Sequence, residues 1–360
     1  MDSDPRRHVA GQLRDQARSC EEMGSPLYTL LLDRAADDVE ASGPCWDVLA
    51  QHVAPGRGDA VALRFMAAVH RLALTGRAPA VAAQYPSAGG SPDVHVWRAF
   101  RDAVAEHVDE LRTLTLLPCQ TNEVGRAAPL MFGFLSVAAE WELPLSVLEV
   151  GASAGLNLRF DHFRYGSTDA VWGDAASPVD LTGLWGEAPP HLEASLVVAE
   201  RRGCDRRPLD PGDPETRLAL SASLWADQTE RFARLDGALE LAARVPARVE
   251  GASLSDWLPR QLANARPGLA TVVYHSVVIE YLAADVRRAF EAELADSGRR
   301  ATLEAPLAWL RLEPVSRVRS HGVTLTTWPG ARERVLATSG AHGADVRRAT
   351  PTSARAAEDR

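Results

Sequence analysis

A short apolar segment that ends in a glycine-rich loop constrains the fold more than any other part of the sequence. Residues 143–151 read LPLSVLEVG, and their length and β-branched content are those of a buried strand. The loop that follows, ASAG, consists of small residues, so its backbone can lie close to a ligand. A buried strand that turns directly into such a loop predicts a layered α/β sheet.

The periodicity of the apolar residues changes at this strand. Before it they recur at spacings of three and four, which predicts amphipathic helices, and Ser25 and Ser91, each followed by proline, are predicted to begin two of them. We therefore predict an all-α N-terminal cap domain over residues 1–115. Residues 116–347 are predicted to form the sheet domain, and the polar residues 348–360 a frayed tail.

Within the predicted sheet domain, strand-like and helix-like segments alternate. This alternation predicts a mostly parallel, doubly wound, Rossmann-like sheet. The predicted strands after the first lie at residues 196–205, 247–252, 268–276 and 307–314, with a closing hairpin over 322–340. Residues 161–194, rich in glycine, proline, aspartate and tryptophan, are predicted to be an insertion between the first two strands. The helix after the third strand is predicted to begin at Ser255 or Asp256.

The charged residues exclude several classes of chemistry. The formal net charge is −9, and a chain without a concentrated basic surface is not expected to bind nucleic acid. All 39 basic residues are arginine, because the sequence contains no lysine. A P-loop lysine, a pyridoxal phosphate Schiff base and a Ser-Lys dyad each need an amine, so these kinds of site are excluded.

Cysteine spacing and hydropathy bear on metal content and location. The four cysteines lie far apart, which argues against a disulfide framework and a zinc knuckle, and no close group of histidines and carboxylates suggests a metal. The longest apolar stretch, residues 129–150, is interrupted by Glu140 and Glu142, so it is not predicted to span a membrane. No apolar core of a signal peptide opens the chain, and we expect a cytoplasmic protein.

The glycine loop satisfies two motifs that imply different functions. Gly151 to Gly155 reads GASAG, which matches the G-x-S-x-G elbow of serine hydrolases with Ser153 as the nucleophile. Asp256 and His275 complete a triad order, but an order of this kind is expected by chance among 48 acidic residues and 10 histidines. The segments before the first strand are helical, whereas the hydrolase elbow follows earlier strands. The hydrolase interpretation is therefore the less favoured one.

The same residues also fit the loop that holds a nucleoside-bearing cofactor. Glu149 lies at the end of the strand, and Gly151 and Gly155 let the loop backbone approach the cofactor. Asp205 ends the second predicted strand, where an acidic residue accepts hydrogen bonds from ribose hydroxyls. In this interpretation Ser153 is a small loop residue and not a nucleophile.

This region resembles a known class of enzyme. VLEVGASAGLNL (147–158) is similar to the first motif of class I S-adenosylmethionine-dependent methyltransferases, and GCDRRPLD (203–210) is similar to their second. The resemblance implies S-adenosylmethionine as the cofactor. After the third strand these enzymes often carry an acidic residue that accepts from the adenine amine, whereas here Ser253 and Asp256 follow Gly251. We therefore assign Ser253 and Asp256 to the cofactor as substitutes.

Several polar residues near the predicted strand have both a functional and a structural interpretation. Gln120, Asn122 and Glu123 precede the helix before the first strand, where they either contact the cofactor and cover the pocket or cap that helix. The Asn157 amide meets the carboxylate of the ligand or makes a hydrogen bond at a helix start. Tyr165 belongs either to the substrate site or to a packed corner.

The end of the fourth predicted strand supplies the candidate for acid-base chemistry. His275 and Ser276 lie there, at the edge where ligands bind in open α/β sheets. His275 is predicted to be the general base that takes a proton from the acceptor near neutral pH, and Ser276 is assigned to the substrate. A histidine that is satisfied structurally is the alternative.

Over most of its length the chain also resembles the bacterial domain-of-unknown-function family 2332, through CQTNEVGRAAPL, GLNLRFDHFRY, VVYHSVVIEYL and TLTTWPG. This resemblance supports the fold and names no substrate. The leading expectation is a methyltransferase that acts on a small molecule. The alternatives are a Rossmann-fold binding protein that transfers no methyl group and the serine hydrolase. The sequence leaves the acceptor, the methylated atom and the oligomeric state open.

Overall fold

The computed structural model describes residues 4–53, 60–264, 266–315 and 320–349. The chain forms two compact units. The first consists of Met1–Thr121 and Asp213–Ala233, and the second of Asn122–Gly212 and Arg234–Arg360.

The described residues of the first unit form helices around one apolar core, which includes Tyr28, Phe65 and Phe100. The helices are α1 (Pro5–Glu22), α2 (Pro26–Glu40), α3 (Pro44–Leu49), α4 (Val61–Leu74), α5 (Pro79–Ala82), α6 (Val96–Glu106), α7 (Val108–Leu114), α9 (Pro214–Ala222) and the beginning of α10 (Thr229–Arg244). Short 3-10 helices lie at Ala50–His52 and Pro86–Ala88.

The two predicted helix starts of this unit have different outcomes. Ser25 begins α2 as predicted, because its Oγ accepts a hydrogen bond from the N–H of Tyr28 (3.4 Å). The prediction for Ser91 is wrong. Asp93 Oδ1 holds the N–H of His95 in a turn (2.8 Å), and α6 starts only after this turn.

The second unit contains a large sheet with helices against it. Its helices are α8 (Ala127–Trp141), α11 (Leu254–Leu262), α12 (Ala284–Arg300) and the end of α10, with 3-10 helices at Val124–Arg126, Leu156–His162 and Ile279–Tyr281. Its strands are β1 (Leu145–Val150), β2 (Arg164–Gly166), β3 (Val171–Trp172), β4 (Asp180–Thr182), β5 (Val198–Asp205), β6 (Arg248–Gly251), β7 (Ala270–Ser276), β8 (Leu307–Pro314), β9 (His321–Trp328), β10 (Arg332–Ser339) and β11 (Arg347–Arg348).

Eight of these strands form one sheet in the order β11-β10-β9-β8-β7-β1-β5-β6. Neighbours from β6 to β8 run parallel, while β9, β10 and β11 are antiparallel to their neighbours. The described chain is thus a mixed α/β protein with a mostly parallel sheet, as predicted, and β9 and β10 form the predicted hairpin. Because β1 lies between β5 and β7, the strand order reverses beside it.

Helices cover both faces of β1, and all of its residues are buried. Side chains alternate along a strand, so neighbouring residues of β1 contact different layers. Leu148 and Val150 share an apolar cluster with residues of α11 and α12. Glu149 lies beside Tyr274 of β7, whose ring meets Phe134 of α8 edge-on at 5.2 Å. A parallel sheet that is covered on both faces explains the unbroken apolar character of these strands.

The predicted insertion at residues 161–194 contains a small sheet in the order β3-β2-β4. Tyr165 of β2 stacks on Trp185 with ring centroids 5.4 Å apart, and its hydroxyl donates to the carbonyl of Phe160 (2.6 Å). The Tyr165 side chain is therefore part of a packed aromatic corner.

The start of α11 differs from the prediction. Ser253, and not Ser255 or Asp256, caps this helix: its Oγ accepts from the N–H of Asp256 (3.2 Å) and donates to Asp256 Oδ2 (2.7 Å). The extended backbone at Ser253 decides which of the polar residues in this turn is the cap. At the other end of the chain, Arg348 belongs to β11, and residues 350–360 of the predicted tail lie outside the described residues.

α8 is the apolar helix that precedes β1, and its residues from Ala127 to Ala138 are buried. It ends at Trp141, after which Glu142 adopts a left-handed conformation (φ +52°) and the chain turns into the sheet. Within the described ranges, no helix combines the length and the apolar composition needed to cross a membrane.

Gly133 is expected to be required for the packing of α8 on the sheet, since a Cβ here would overlap the Leu310 side chain of β8. We expect Gly133→Ala to lower the free energy of unfolding by about 1–3 kcal/mol, despite the higher helix propensity of alanine. Urea denaturation followed by circular dichroism measures this change. Gly11→Ala in α1 is the matched control, because nothing lies within 4 Å of the added Cβ, and equal destabilisation by both variants would contradict the prediction.

Candidate functional site

The glycine loop, residues 151–155, lies at the carboxyl end of β1, beside the reversal in strand order. Gly151, Ser153 and Gly155 adopt left-handed backbone conformations, with φ of +69°, +52° and +67°. Such a conformation is costly for a residue with a Cβ, so the loop needs glycine at both of its ends. Ligands of open α/β sheets bind at this edge, which makes the loop the candidate site.

Side chains of the protein itself lie close to both glycines. A Cβ at Gly151 would lie 2.7 Å from Val278 Cγ2, and a Cβ at Gly155 would lie 2.6 Å from Val249 Cγ2. The cofactor-loop motif predicts glycine here because a ligand approaches the backbone. In the structure, close packing within the chain is a sufficient reason for glycine at both positions.

The end of β5 holds the glycine loop through backbone hydrogen bonds. The carbonyl of Cys204 accepts from the N–H of Gly151 (2.9 Å). Asp205 Oδ2 accepts from the N–H of Ser153 (2.9 Å), and Asp205 Oδ1 accepts from the N–H of Arg207 (2.9 Å). Asp205, the predicted ribose ligand, therefore holds the glycine loop with one carboxylate oxygen and the turn after β5 with the other.

The segment before α8 also contacts the loop region. Asn122 Oδ1 accepts from the N–H of Leu156 (2.9 Å), and Asn157 Nδ2 donates to the carbonyl of Glu123 (3.0 Å). The Glu123 carboxylate caps the short 3-10 helix that follows it. The structure thus brings together three of the predicted residues, whereas Gln120 belongs to the first unit.

Two buried polar atoms around the loop, Ser153 Oγ and Asn157 Oδ1, lack a hydrogen-bond partner in the described chain. Each buried polar atom without a partner costs about 1–3 kcal/mol. A water molecule or a polar group of a ligand at this place would remove that cost.

Glu149 is buried in the middle of the sheet, between Gly203 of β5 and Tyr274 of β7. Burial raises its pKa to about 8, and the nearby Tyr274 hydroxyl and Arg159 guanidinium lower it to a smaller extent. The carboxyl group is therefore mostly protonated at neutral pH. A protonated Glu149 is a hydrogen-bond donor and not an anion.

His275 is buried, and both of its ring nitrogens have partners. Nε2 accepts from the indole N–H of Trp309 (3.0 Å), so the proton lies on Nδ1 and is donated to Glu313 Oε1 (2.7 Å). Although burial raises the pKa of Glu313, the hydrogen bonds from His275 and from the backbone N–H groups of residues 278 and 279 outweigh it, and the pKa lies below its ordinary value. This arrangement leaves neither nitrogen of His275 open to an acceptor.

The chain after β7 bends sharply over the glycine loop. Val277 has a left-handed conformation (φ +55°), which is rare for a β-branched residue. Glu313 Oε1 accepts from the N–H of Val278 (2.9 Å), and this bond fixes the Val278 side chain against Gly151. The strained backbone is held by the same carboxylate that pairs with His275, so His275 is linked to the loop through Glu313.

A cleft of about 290 Å³ lies beside the glycine loop. Its walls come from the loop itself, the chain after β5 and the beginning of β6, and are lined by Ala154, Arg159, Pro208, Leu209, Asp210, Pro211, Ala247 and Val249. Arg159 is only 2% exposed and donates from Nε to the carbonyl of Val245 (2.8 Å) and from Nη1 to the carbonyl of Gly155 (2.6 Å). The cleft contacts the glycine loop through Ala154.

The remaining predicted residues do not form a hydrolase triad. Ser253 and Asp256 bond to each other at the start of α11, and His275 bonds to Glu313. Ser153 makes no hydrogen bond to either of the other triad candidates, and Ser276 lies partly exposed at the end of β7. In the part of the chain that the structure describes, no group of three or more His, Cys, Asp or Glu residues could hold a metal ion.

Three residues of the site were missed by sequence reasoning. Arg159 is the charged residue within LNLRF (156–160), a segment rich in apolar residues, and a charge in such a segment was a usable signal of a special role. Glu313 ends the fifth strand of the predicted parallel sheet, and a carboxylate at a strand end could have been paired with His275. Val278 carries no signal in its own sequence context, because only the fold brings it to Gly151.

Replacing the Glu149 carboxyl by a neutral amide tests whether this group is protonated in the folded state. Its pKa rises from an ordinary 4.5 to about 8, so the folded state binds the proton more tightly and the protein loses stability as pH rises through that interval. Glu149→Gln removes this loss, and its stability relative to the wild type is expected to rise by about 3–4 kcal/mol between about pH 5 and about pH 8. Urea denaturation at several pH values measures the difference. A difference that does not change with pH would show that Glu149 is ionised in the folded protein.

Comparison with known proteins gives a family and no activity. Neither the curated proteins nor the solved structures include a match to this chain. The model of a family described as "Uncharacterized protein conserved in bacteria (DUF2332)" matches residues 10–348. The match covers nearly the whole chain, in agreement with the resemblance noted in its sequence, and the chain therefore belongs to the DUF2332 family.

Proposed function

We propose that the protein is an S-adenosylmethionine-dependent methyltransferase that acts on a small molecule, with the adenosyl part of the cofactor held at the glycine loop. One observation carries this proposal. The glycine loop follows the strand at which the strand order reverses, and the acidic Asp205 ends the neighbouring parallel strand. In open α/β sheets this is the place where nucleoside-bearing cofactors bind.

The order of the parallel strands supports the proposal. In chain order, the parallel strands β6-β5-β1-β7-β8 are the third, second, first, fourth and fifth. Doubly wound nucleotide-binding sheets begin with the same arrangement. A methyltransferase-like Rossmann fold preceded by a helical cap domain is therefore part of the proposal.

The residues present fit a bound nucleoside. Each oxygen of the Asp205 carboxylate accepts one backbone N–H and retains a lone pair for a ribose hydroxyl. Ser153 Oγ and Asn157 Oδ1 are buried atoms that a bound molecule or a water would satisfy. The cofactor, when bound, supplies an electrophilic methyl group, and the main demand on the protein is then in-line positioning of the acceptor.

In this proposal His275 is a positioning residue and not the general base. For Nε2 to take a proton from an acceptor, the indole N–H of Trp309 would first have to release it. As the site is built, His275 positions the chain over the glycine loop through Glu313. Without a free base, the site favours an acceptor atom that can attack the methyl group through a lone pair before it loses any proton.

Calorimetry with S-adenosylmethionine and S-adenosylhomocysteine tests the proposal. Both ligands are expected to bind the wild type, and Gly155→Ala is expected to weaken both by about 10-fold or more, because the left-handed loop and its contact with Val249 must shift. Gly268→Ala is the matched control: Gly268 also has a left-handed φ (+84°), but nothing lies within 4 Å of an added Cβ. Absence of binding to the wild type, or equal effects of the two variants, would sink the proposal.

A second function, binding without methyl transfer, is favoured by a specific observation. The Val278 side chain lies against Gly151 and covers this part of the glycine loop. Both ring nitrogens of His275 are hydrogen-bonded, so His275 is not available as a base. In this case the protein holds the nucleoside but catalyses no reaction on it.

Product formation separates the two functions. The wild type is incubated with S-adenosylmethionine and a protein-free extract of bacterial small molecules, and S-adenosylhomocysteine is measured by mass spectrometry. With S-adenosylmethionine well below the dissociation constant of the wild type, methyl transfer is expected to form it at least about 10-fold faster than in Gly155→Ala, since the variant binds the cofactor more weakly. Binding alone predicts no product above that background, although calorimetry shows affinity.

A further inference from the structure

Arg159 carries a buried positive charge that the described chain does not pair with a carboxylate. Its side chain is 2% exposed, and its hydrogen bonds go to the backbone carbonyls of Val245 and Gly155. An ion pair with an acidic residue is not among its contacts in the described ranges, whereas the neighbouring Arg201 pairs with Asp161 (2.6 Å). Burying a cation without a counter-ion is costly, because carbonyl dipoles replace only part of its hydration.

The surroundings of Arg159 do not supply the missing negative charge. Burial lowers the pKa of Arg159, and the neighbouring Arg201 lowers it further, while Glu149 and Tyr274 raise it to a smaller extent. Glu149, the acid that acts on it, has a pKa of about 8 and is mostly neutral at pH 7. The guanidinium therefore lies in an environment that is short of negative charge.

Arg159 also lines the cleft beside the glycine loop. Asp210 is the acidic residue of the same wall, but its Oδ1 accepts from the N–H of Gly212 (2.9 Å), and it is exposed. With Nε and Nη1 engaged by carbonyls, the second terminal nitrogen, Nη2, is left for a ligand. The cleft volume of about 290 Å³ suffices for part of a small molecule.

We propose that Arg159 binds an anionic group, a carboxylate or a phosphate, of a ligand that lies in this cleft. The proposal rests on the proposed function, because the ligand is taken to be one that the glycine loop holds. The anion belongs either to the cofactor, whose methionine part ends in a carboxylate, or to an acidic acceptor. In both cases the guanidinium gains a counter-ion and the ligand gains a charge-assisted hydrogen bond.

Three probes test the proposal with the full-length protein: inorganic phosphate, S-adenosylmethionine, and methylthioadenosine, which lacks the carboxylate. Thermal shift and calorimetry measure binding. Phosphate is expected to raise the melting temperature of the wild type in a saturable manner. In Arg159→Gln, phosphate is expected to leave the melting temperature unchanged. The variant is also expected to bind the probe whose anionic group Arg159 contacts, phosphate or S-adenosylmethionine, about 10- to 100-fold more weakly, as for a lost charge-assisted hydrogen bond.

The control variants separate loss of charge from loss of fold. Arg248→Gln removes an equal charge from an exposed position on β6 and is expected to bind as the wild type does. Ala247→Phe fills the cleft but leaves Arg159 intact, and it is expected to abolish phosphate binding even if Arg159→Gln does not fold. If neither phosphate nor S-adenosylmethionine depends on Arg159 or on an open cleft, the proposal is overturned.

The comparison of S-adenosylmethionine with methylthioadenosine shows whether the anion belongs to the cofactor or to the acceptor. If Arg159→Gln weakens S-adenosylmethionine but not methylthioadenosine, the anion is the carboxylate of the cofactor. If it abolishes only phosphate binding, the anion belongs to the acceptor. If the wild type binds neither nucleoside, the proposed function fails, and the phosphate measurement still decides whether Arg159 binds an anion.

Discussion

Close packing of the backbone at the glycine loop is the constraint on which the rest of the site depends. The loop leaves β1 between two neighbouring strands, and a Cβ added at Gly151 or Gly155 would lie within 3.0 Å of the Val278 or Val249 side chain, so that one of the two would have to shift. Because the loop is held this tightly, its N–H groups reach the end of β5, and Asp205 can bind one of them. A larger residue at either glycine would separate these strand ends.

The sheet and the segment after β1 also bury ionisable groups, and these groups are stabilised in three different ways. Glu149 is kept neutral, since burial raises its pKa to about 8. His275 and Glu313 satisfy each other, with Trp309 on the second ring nitrogen. Arg159 donates to two backbone carbonyls and, within the described ranges, forms no ion pair with a carboxylate. Burial of a charge without a partner is expensive, so a function that uses Arg159 explains why it is there.

For several candidate residues, the sequence predicted the strand end at which they lie but not the residues that they contact. The strand before Gly151, the acidic residue at the end of β5 and the histidine at the end of β7 could all be located from local patterns of apolar and polar residues. Their partners could not be located in this way. His275 pairs with a residue 38 positions away, and no local pattern indicates which strand end supplies it. The helix start at Ser253 was also missed, because neighbouring polar residues in one turn compete for the same role.

The sequence by itself determined the α/β class, the mostly parallel sheet and the position of the glycine loop, because these depend on periodicity and on the conformational freedom of glycine, which are local properties. Only the tertiary structure decided that Asp205 binds the loop, that His275 is saturated and that Arg159 faces a cleft. Those outcomes depend on which strand ends become neighbours and on how much water each side chain loses. Neither quantity can be read from the order of residues along the chain.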